Sequence, residues 1–147
     1  VTDLNLDAQN IAEQVAVGMM ARDRASRGLG MEVIEISPGL AVLKMTVRES
    51  MLNGLDTCHG GYITVLADSA FAFACNSYNQ LTVASSLSIE FIAPVYVDEV
   101  LTARAVEVSR SGRTGIYDVD ISNAKGVRVA IFRGRSYQFK DKPLISI

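Results

Sequence analysis

Cysteine is scarce in this chain of 147 residues: Cys58 and Cys75 are the only two, and they make neither a disulfide framework nor a zinc-ligand spacing. Two isolated thiols point to a reducing cytoplasm. Basic runs are missing, and no aromatic residues interleave with basic ones, so nucleic acid is not an expected partner. There is no low-complexity run and no internal repeat. With hydrophobic residues at 49% and charged residues at 20%, disorder is not expected beyond the ends. The start, Val-Thr-Asp-Leu-Asn-Leu-Asp, is acidic and lacks the basic region that precedes the apolar core of a signal peptide. No membrane span is expected either. The most apolar stretch, residues 62–75, is shorter than the about 20 residues a spanning helix needs and carries a carboxylate in its middle.

What the chain does have is that stretch itself. Apart from a tyrosine and a thiol, its only ionisable group is Asp68. A helix apolar around its whole circumference has no face left for water, so residues 62–75 are expected to form the buried central helix of one domain covering 1–147. Charge is spread unevenly around it. Residues 1–100 hold five Lys/Arg against twelve Asp/Glu, whereas 101–147 hold nine against four. The basic third is either a set of solvated strand faces or a local site for an anionic ligand.

In chain order, Asp7 reads as the cap of a helix in which Ile11, Val15 and Met19 recur every four residues, with Gly28 and Gly30 bracketing its end. A strand over 31–37 and a Pro38-Gly39 turn lead to a half-buried strand. Its Leu43, Met45 and Val47 alternate with Lys44, Thr46 and Arg48. After the central helix, Leu87, Ile89 and Phe91 alternate with Ser86, Ser88 and Glu90 as far as Pro94. Strands over 100–108, around 117–121 and over 127–139 follow, joined by turns at 110–113 and Lys125-Gly126. Short turns make neighbouring strands antiparallel. The expected architecture is α+β, with one antiparallel sheet curling around one apolar helix.

Candidate chemistry gathers at the helix and its entry loop. Asp68 has no basic residue within four positions, and a buried carboxylate without a partner is costly, which marks it as functional or as an inert interface residue. Gly60 and Gly61 open the helix, where unpaired N–H groups and the positive dipole end can hold a developing oxyanion; alternatively they only ease the loop into the helix. Asn53 offers an amide to a carbonyl or water, or simply makes an Asn-Gly turn. His59, the only histidine, is expected to fix the loop rather than act as a general base. A Cys58–His59 nucleophile pair is disfavoured, because adjacent loop residues seldom face each other. Gly60 and Asp68 lie eight residues apart, a helical rise of about 12 Å. One helix cannot offer both to one carbonyl, but two antiparallel copies across a twofold axis can.

At these positions the chain resembles the hotdog-fold acyl-CoA thioesterases, particularly the phenylacetic-acid-degradation family. The likeness rests on Asn53, His59-Gly60-Gly61, and Leu66-Ala67-Asp68 followed by Ala70-Phe71-Ala72. It runs over about 31–139 and includes Ile89-Glu90-Phe91 to Pro94. The resemblance implies a hotdog fold, a homodimer with a continuous sheet that usually pairs into a homotetramer, and hydrolysis of aryl- or medium-chain acyl-CoA thioesters. A hotdog enoyl-CoA hydratase and a non-catalytic acyl-CoA binding module are the alternatives. It further implies Asp68 as general base or nucleophile, the Gly60 N–H as carbonyl polariser, and Asn53 as the group orienting substrate or water. His59 and Gly61 would line the substrate. Ser85, or its neighbour Ala84, would sit where relatives place water. The turn Arg110, Ser111, Gly112, Arg113 would meet the CoA nucleotide, with two guanidiniums as its support from charge. No metal is implied, and no cofactor besides the CoA of the substrate.

Overall fold

The computed structural model describes residues 3–147, with side chains from residue 7 onward; the acidic start therefore begins outside the described residues, at Val1 and Thr2. Helix α1 (Asp3–Arg22) starts before Asp7, which lies inside it instead of capping it. Residues 3–6 contain neither proline nor glycine to stop the helix earlier. The expected helical end at Gly28 is reached after one break. The Asp23 carboxylate accepts hydrogen bonds from the Ser26 N–H at 2.9 Å and the Ser26 hydroxyl at 2.6 Å, capping a short second helix, α2 (Arg24–Gly28).

Six strands follow the expected order: β1 (Glu32–Ser37) and β2 (Leu40–Thr46) before the central helix α3 (Gly60–Asn76), then β3 (Thr82–Phe91), β4 (Val100–Ser111), β5 (Thr114–Ser122) and β6 (Arg128–Gln138). They form one antiparallel sheet in the order β1-β2-β4-β5-β6-β3, and α3 packs against all six. This is the α+β arrangement that the patterning and the resemblance imply. Alternation delivers its inner face. Leu43, Met45, Leu101, Ala103, Val119 and Ile121 are buried, while Lys44, Thr46 and Arg104 point out.

Helix α3 meets the sheet through Ile63, Leu66, Ala67, Ala70, Phe71 and Ala74, all buried. Three alanines on that face let its axis come close, and each fully buried Leu or Phe contributes about 1.5–3 kcal/mol. Phe71 packs on Tyr117 and Phe132, with ring centroids 5.6 and 5.8 Å away, and its ring lies on the backbone of Gly134. At the helix end the Asn76 amide clamps the next strand. Its Oδ1 accepts from the Thr82 N–H, and its Nδ2 donates to the Thr82 carbonyl, both at 2.9 Å.

One expectation needs correction. α3 is not buried around its circumference: Thr64, Asp68 and Ala72, spaced by four and so on one face, remain half-buried because a single sheet covers only part of a helix. On β3 the alternating Leu87 and Phe91 are 44% and 53% exposed. β3 is an edge strand paired only with β6, and the other side of its ladder is open.

A methyl group at Gly134 would stand 2.6 Å from Phe71 Cε2. Gly134→Ala is therefore expected to cost about 1–3 kcal/mol by overpacking. In a thermal melt this reads as a fall of several degrees, at about 2–4 °C per kcal/mol for a chain of this size. Gly28→Ala, with nothing within 4 Å of the added carbon, serves as the control and should change the melt far less.

Candidate active site

The loop before α3 is pinned at both ends. The Cys58 N–H donates to the Val95 carbonyl at 2.7 Å and the His59 N–H to the Met51 carbonyl at 2.8 Å. Inside it Asn53 closes a local turn. Its Oδ1 accepts from the Leu55 N–H at 2.9 Å and the Thr57 N–H at 3.3 Å, and its Nδ2 donates to Thr57 Oγ1 at 3.0 Å. The chain enters the helix at His59, an extended residue (φ −59°, ψ 132°) whose Nδ1 accepts from the Gly61 N–H at 2.9 Å. That cap, made by histidine in place of the usual Ser, Thr, Asp or Asn, has a selective result. The Gly61 N–H is used, while the Gly60 N–H donates to no described residue. The histidine thus fixes the loop, as expected, and leaves one strong donor at the positive end of α3.

Beside that donor lies a cavity of about 400 Å³ lined by Thr57, Cys58, Ile63, Phe91, Pro94 and Val95. Its walls are mainly apolar. The Phe91 ring lies so near Gly60 that a Cβ there would stand 2.8 Å from Phe91 Cζ, so glycine is what accommodates the ring against the helix start.

Asp68 sits two turns further along, on the half-buried stripe with Thr64 and Ala72. Among the described residues it has no ion-pair partner; the three pairs are Arg104–Glu35, Arg128–Asp120 and Arg133–Asp118. Burial pushes its carboxyl above the ordinary carboxylate value. Asp68 is thus half-buried instead of fully buried, and bare. The nearby thiols are inert by comparison. Burial raises Cys58, and it pushes Cys75 up to about 12, with the charge of Asp68 adding to the rise. Cys58 Sγ faces the His59 carbonyl at 3.6 Å and the His59 Nδ1 is engaged by Gly61, so the two do not form a nucleophile pair.

The remaining candidates lie at the other end of α3. Ser85 occupies a bulge in β3, its hydroxyl donating to the Arg135 carbonyl at 3.1 Å. Ser111 and Gly112 (φ +60°) make the β4–β5 turn. Arg110 lies over the Tyr78 ring, 3.6 Å from its centroid, and Arg113 Nη1 reaches the Tyr137 hydroxyl at 3.3 Å. Within one chain, then, Asn53, His59, Gly60 and Gly61 share one end of the helix, while Ser85 and the 110–113 turn belong to the opposite end. The basic third of the sequence divides accordingly. Arg128 and Arg133 form two-bond pairs with Asp120 and Asp118 on the sheet, whereas Arg110 and Arg113 have no carboxylate partner among the described residues.

Sequence reasoning missed Phe91 and the group under Arg110. Tyr78 and Tyr117 both donate to Glu107 Oε1, each at 2.9 Å. A signal existed: Glu107 continues the inward series Leu101, Ala103, Ala105 of β4, where a carboxylate is out of place. No group of three or more His, Cys, Asp or Glu able to hold a metal comes together among the described residues. No helix among them is long and apolar enough to cross a membrane.

With this geometry in view, comparison with known proteins is informative. Residues 55–130 match the model of the thioesterase superfamily. The acyl-coenzyme A thioesterase PaaI of Escherichia coli (strain K12) is 42% identical over 127 residues, 86% of this chain and 91% of its own. A solved structure of E. coli PaaI, from the phenylacetic acid degradation operon, superposes with a TM-score of 0.88 at 41% identity, covering 89% of this chain and 95% of that one. A hypothetical thioesterase of Streptococcus pneumoniae TIGR4, solved with coenzyme A, has a TM-score of 0.73 at 27% identity over 76% of this chain and 90% of its own.

The raised carboxyl has a consequence for stability. A native-state pKa above the unfolded one means that the folded protein holds the proton more tightly. Wild-type stability is therefore lost as pH rises from the unfolded value, about 3.9, through the folded one. Asp68→Asn is expected to melt higher than wild type near neutral pH, the gap closing below the ordinary carboxylate range. Melts between about pH 3 and about pH 8 test this; parallel curves for the two proteins would show that burial of Asp68 carries no such cost.

Proposed function

The chain belongs to the thioesterase superfamily, and on that premise we propose that it hydrolyses aryl- or medium-chain acyl-CoA thioesters to the free acid and CoA, in the degradation of phenylacetate or related aromatics. The observation that carries the reading is the free N–H of Gly60 beside a mainly apolar cavity, with the bare carboxylate of Asp68 on the half-buried stripe of the same helix. In this reading the Gly60 N–H polarises the thioester carbonyl and stabilises the oxyanion as it forms. Asp68 either takes a proton from the attacking water or attacks the carbonyl carbon itself, in which case the mixed anhydride left after thiolate departure is hydrolysed by water to the free acid and the carboxylate. A carboxyl held above its usual range by burial is the stronger base. Thiolate then leaves as CoA. Asn53 keeps the entry loop in shape and has a second Nδ2 hydrogen for substrate or water, while His59 and Gly61 shape the mouth of the cavity.

We read the active unit as a homodimer, pairing further into a homotetramer, with residues 1–147 as one hotdog domain. The open edge of β3, with Val83, Leu87 and Phe91 exposed along it, supports this. Two such edges joined antiparallel make one continuous sheet and set the two copies of α3 side by side in opposite directions. The approximately 12 Å between Gly60 and Asp68 along one helix is then bridged by the second chain. The same arrangement carries the partner's 110–113 turn and Ser85 towards the Gly60 end, uniting groups that one chain holds apart. The two thiols, both free, fit a reducing cytoplasm.

Thiol release from a panel of aryl- and alkyl-CoA esters tests the reaction. Asp68→Asn is expected to bind substrate and lower kcat by at least about 100-fold. A kcat within a few-fold of wild type would remove Asp68 from the mechanism. Hydration of an enoyl-CoA without thiol release would make the protein a hydratase, and stabilisation by CoA esters without turnover would make it a binding module.

The shared site predicts rescue. Gly60→Pro deletes the N–H at a first helical position, and the extended His59 suits a residue before proline; because its Cβ would meet the Phe91 ring at 2.8 Å, a melt of the variant first establishes that it folds. Mixed and refolded with Asp68→Asn, about half the dimers are heterodimers, each with one intact site and one carrying both lesions. Activity should return to about a quarter of the wild-type value per total sites. Verified heterodimers that stay inactive would place donor and carboxylate in one chain.

A further inference from the structure

We infer that Tyr78, anchored by Glu107, is a positioning residue that holds the Arg110 guanidinium ready for the phosphates of the CoA nucleotide. This rests on the reading of the 110–113 turn given above, and it assigns roles to two residues outside the turn. The connection is continuous from core to surface. Tyr117, 1% exposed and packed on Phe71, donates its hydroxyl to Glu107 Oε1; Tyr78 donates to the same oxygen; and Arg110 lies over the Tyr78 ring.

The chemistry of a stacked guanidinium explains why the arrangement suits an anion. Stacking uses the face of the planar cation and leaves its N–H edge to donate, often in pairs, to phosphate oxygens. An exposed arginine that is free to rotate loses that freedom on binding; one already laid on a fixed ring has lost it at folding, so less is lost when ligand arrives. Glu107 could have neutralised Arg110 directly. Instead it is absent from the ion pairs of the described residues and is engaged by two phenols. The cation stays unpaired, unlike Arg128 and Arg133, whose guanidiniums are both closed by carboxylates.

The test compares KM for an acyl-CoA with KM for the same acyl group on pantetheine, which lacks the nucleotide. Tyr78→Leu removes the flat ring and is expected to raise KM for the CoA ester about fivefold or more, with kcat within about twofold and the pantetheine KM within about twofold. Tyr78→Phe keeps the ring but loses the bond to Glu107, and should raise the ratio of the two KM values about twofold. Arg110→Ala is measured alongside. If it raises the ratio and Tyr78→Leu does not, the platform is overturned while the phosphate reading of the turn stands. If Arg110→Ala leaves the ratio unchanged, both fall. Should Tyr78→Leu melt too low for kinetics, Tyr78→Phe decides, and a wild-type ratio then overturns the anchoring role of Glu107.

Discussion

The close seating of α3 on the sheet is the constraint from which the rest follows. Ala67, Ala70 and Ala74 bring the helix near the strands, and Phe71 lies on Gly134 where any side chain would collide. A sheet can cover only part of a helix, so one stripe is left over. That stripe carries Asp68. The position of the carboxylate is thus a by-product of packing: the apolar face fixes the rotation of the helix, and the rotation aims Asp68 outward.

At the start of the same helix one hydrogen bond leaves a neighbouring donor free. Any helix opens with unpaired N–H groups, and several donors would compete for an incoming oxygen. By capping Gly61, His59 leaves the Gly60 donor free, and the absence of a side chain at Gly60 accommodates the Phe91 ring. The half-buried carboxylate further along costs stability when ionised, as groups retained for activity often do. Both features sit on a helix packed against all six strands, and in the proposed reaction such an element holds donor and base more precisely than a loop can.

Charge is handled differently on the β5–β6 strands and at the β4–β5 turn. Arg128 and Arg133 are locked to Asp120 and Asp118, which answers one of the two readings of the basic third of the chain: on those strands the charges make a solvated, internally paired face. Arg110 lies on the Tyr78 ring and Arg113 donates to the Tyr137 hydroxyl, and both keep their charge unpaired among the described residues. The division depends on which residues the turn and the bulge at Glu107 and Ser109 bring together, which composition does not reveal.

By itself the sequence determined the α+β class, the order of helices and strands, the Pro38-Gly39 turn and the inner residues of β2, and it marked Asn53, His59-Gly60-Gly61 and Asp68 as candidates. These are matters of period and spacing, and backbone geometry converts both into faces without reference to distant residues. Only the tertiary structure decided that α3 keeps an open stripe, that Leu87 and Phe91 on β3 face outward on an edge, and that α1 passes Asp7 and breaks at Asp23. It also decided that Glu107 gathers two tyrosines under Arg110. Each of these depends on what lies across the fold from a residue. Apolar alternation says that a side chain seeks cover, but whether its own chain supplies that cover is settled only when the sheet runs out of strands.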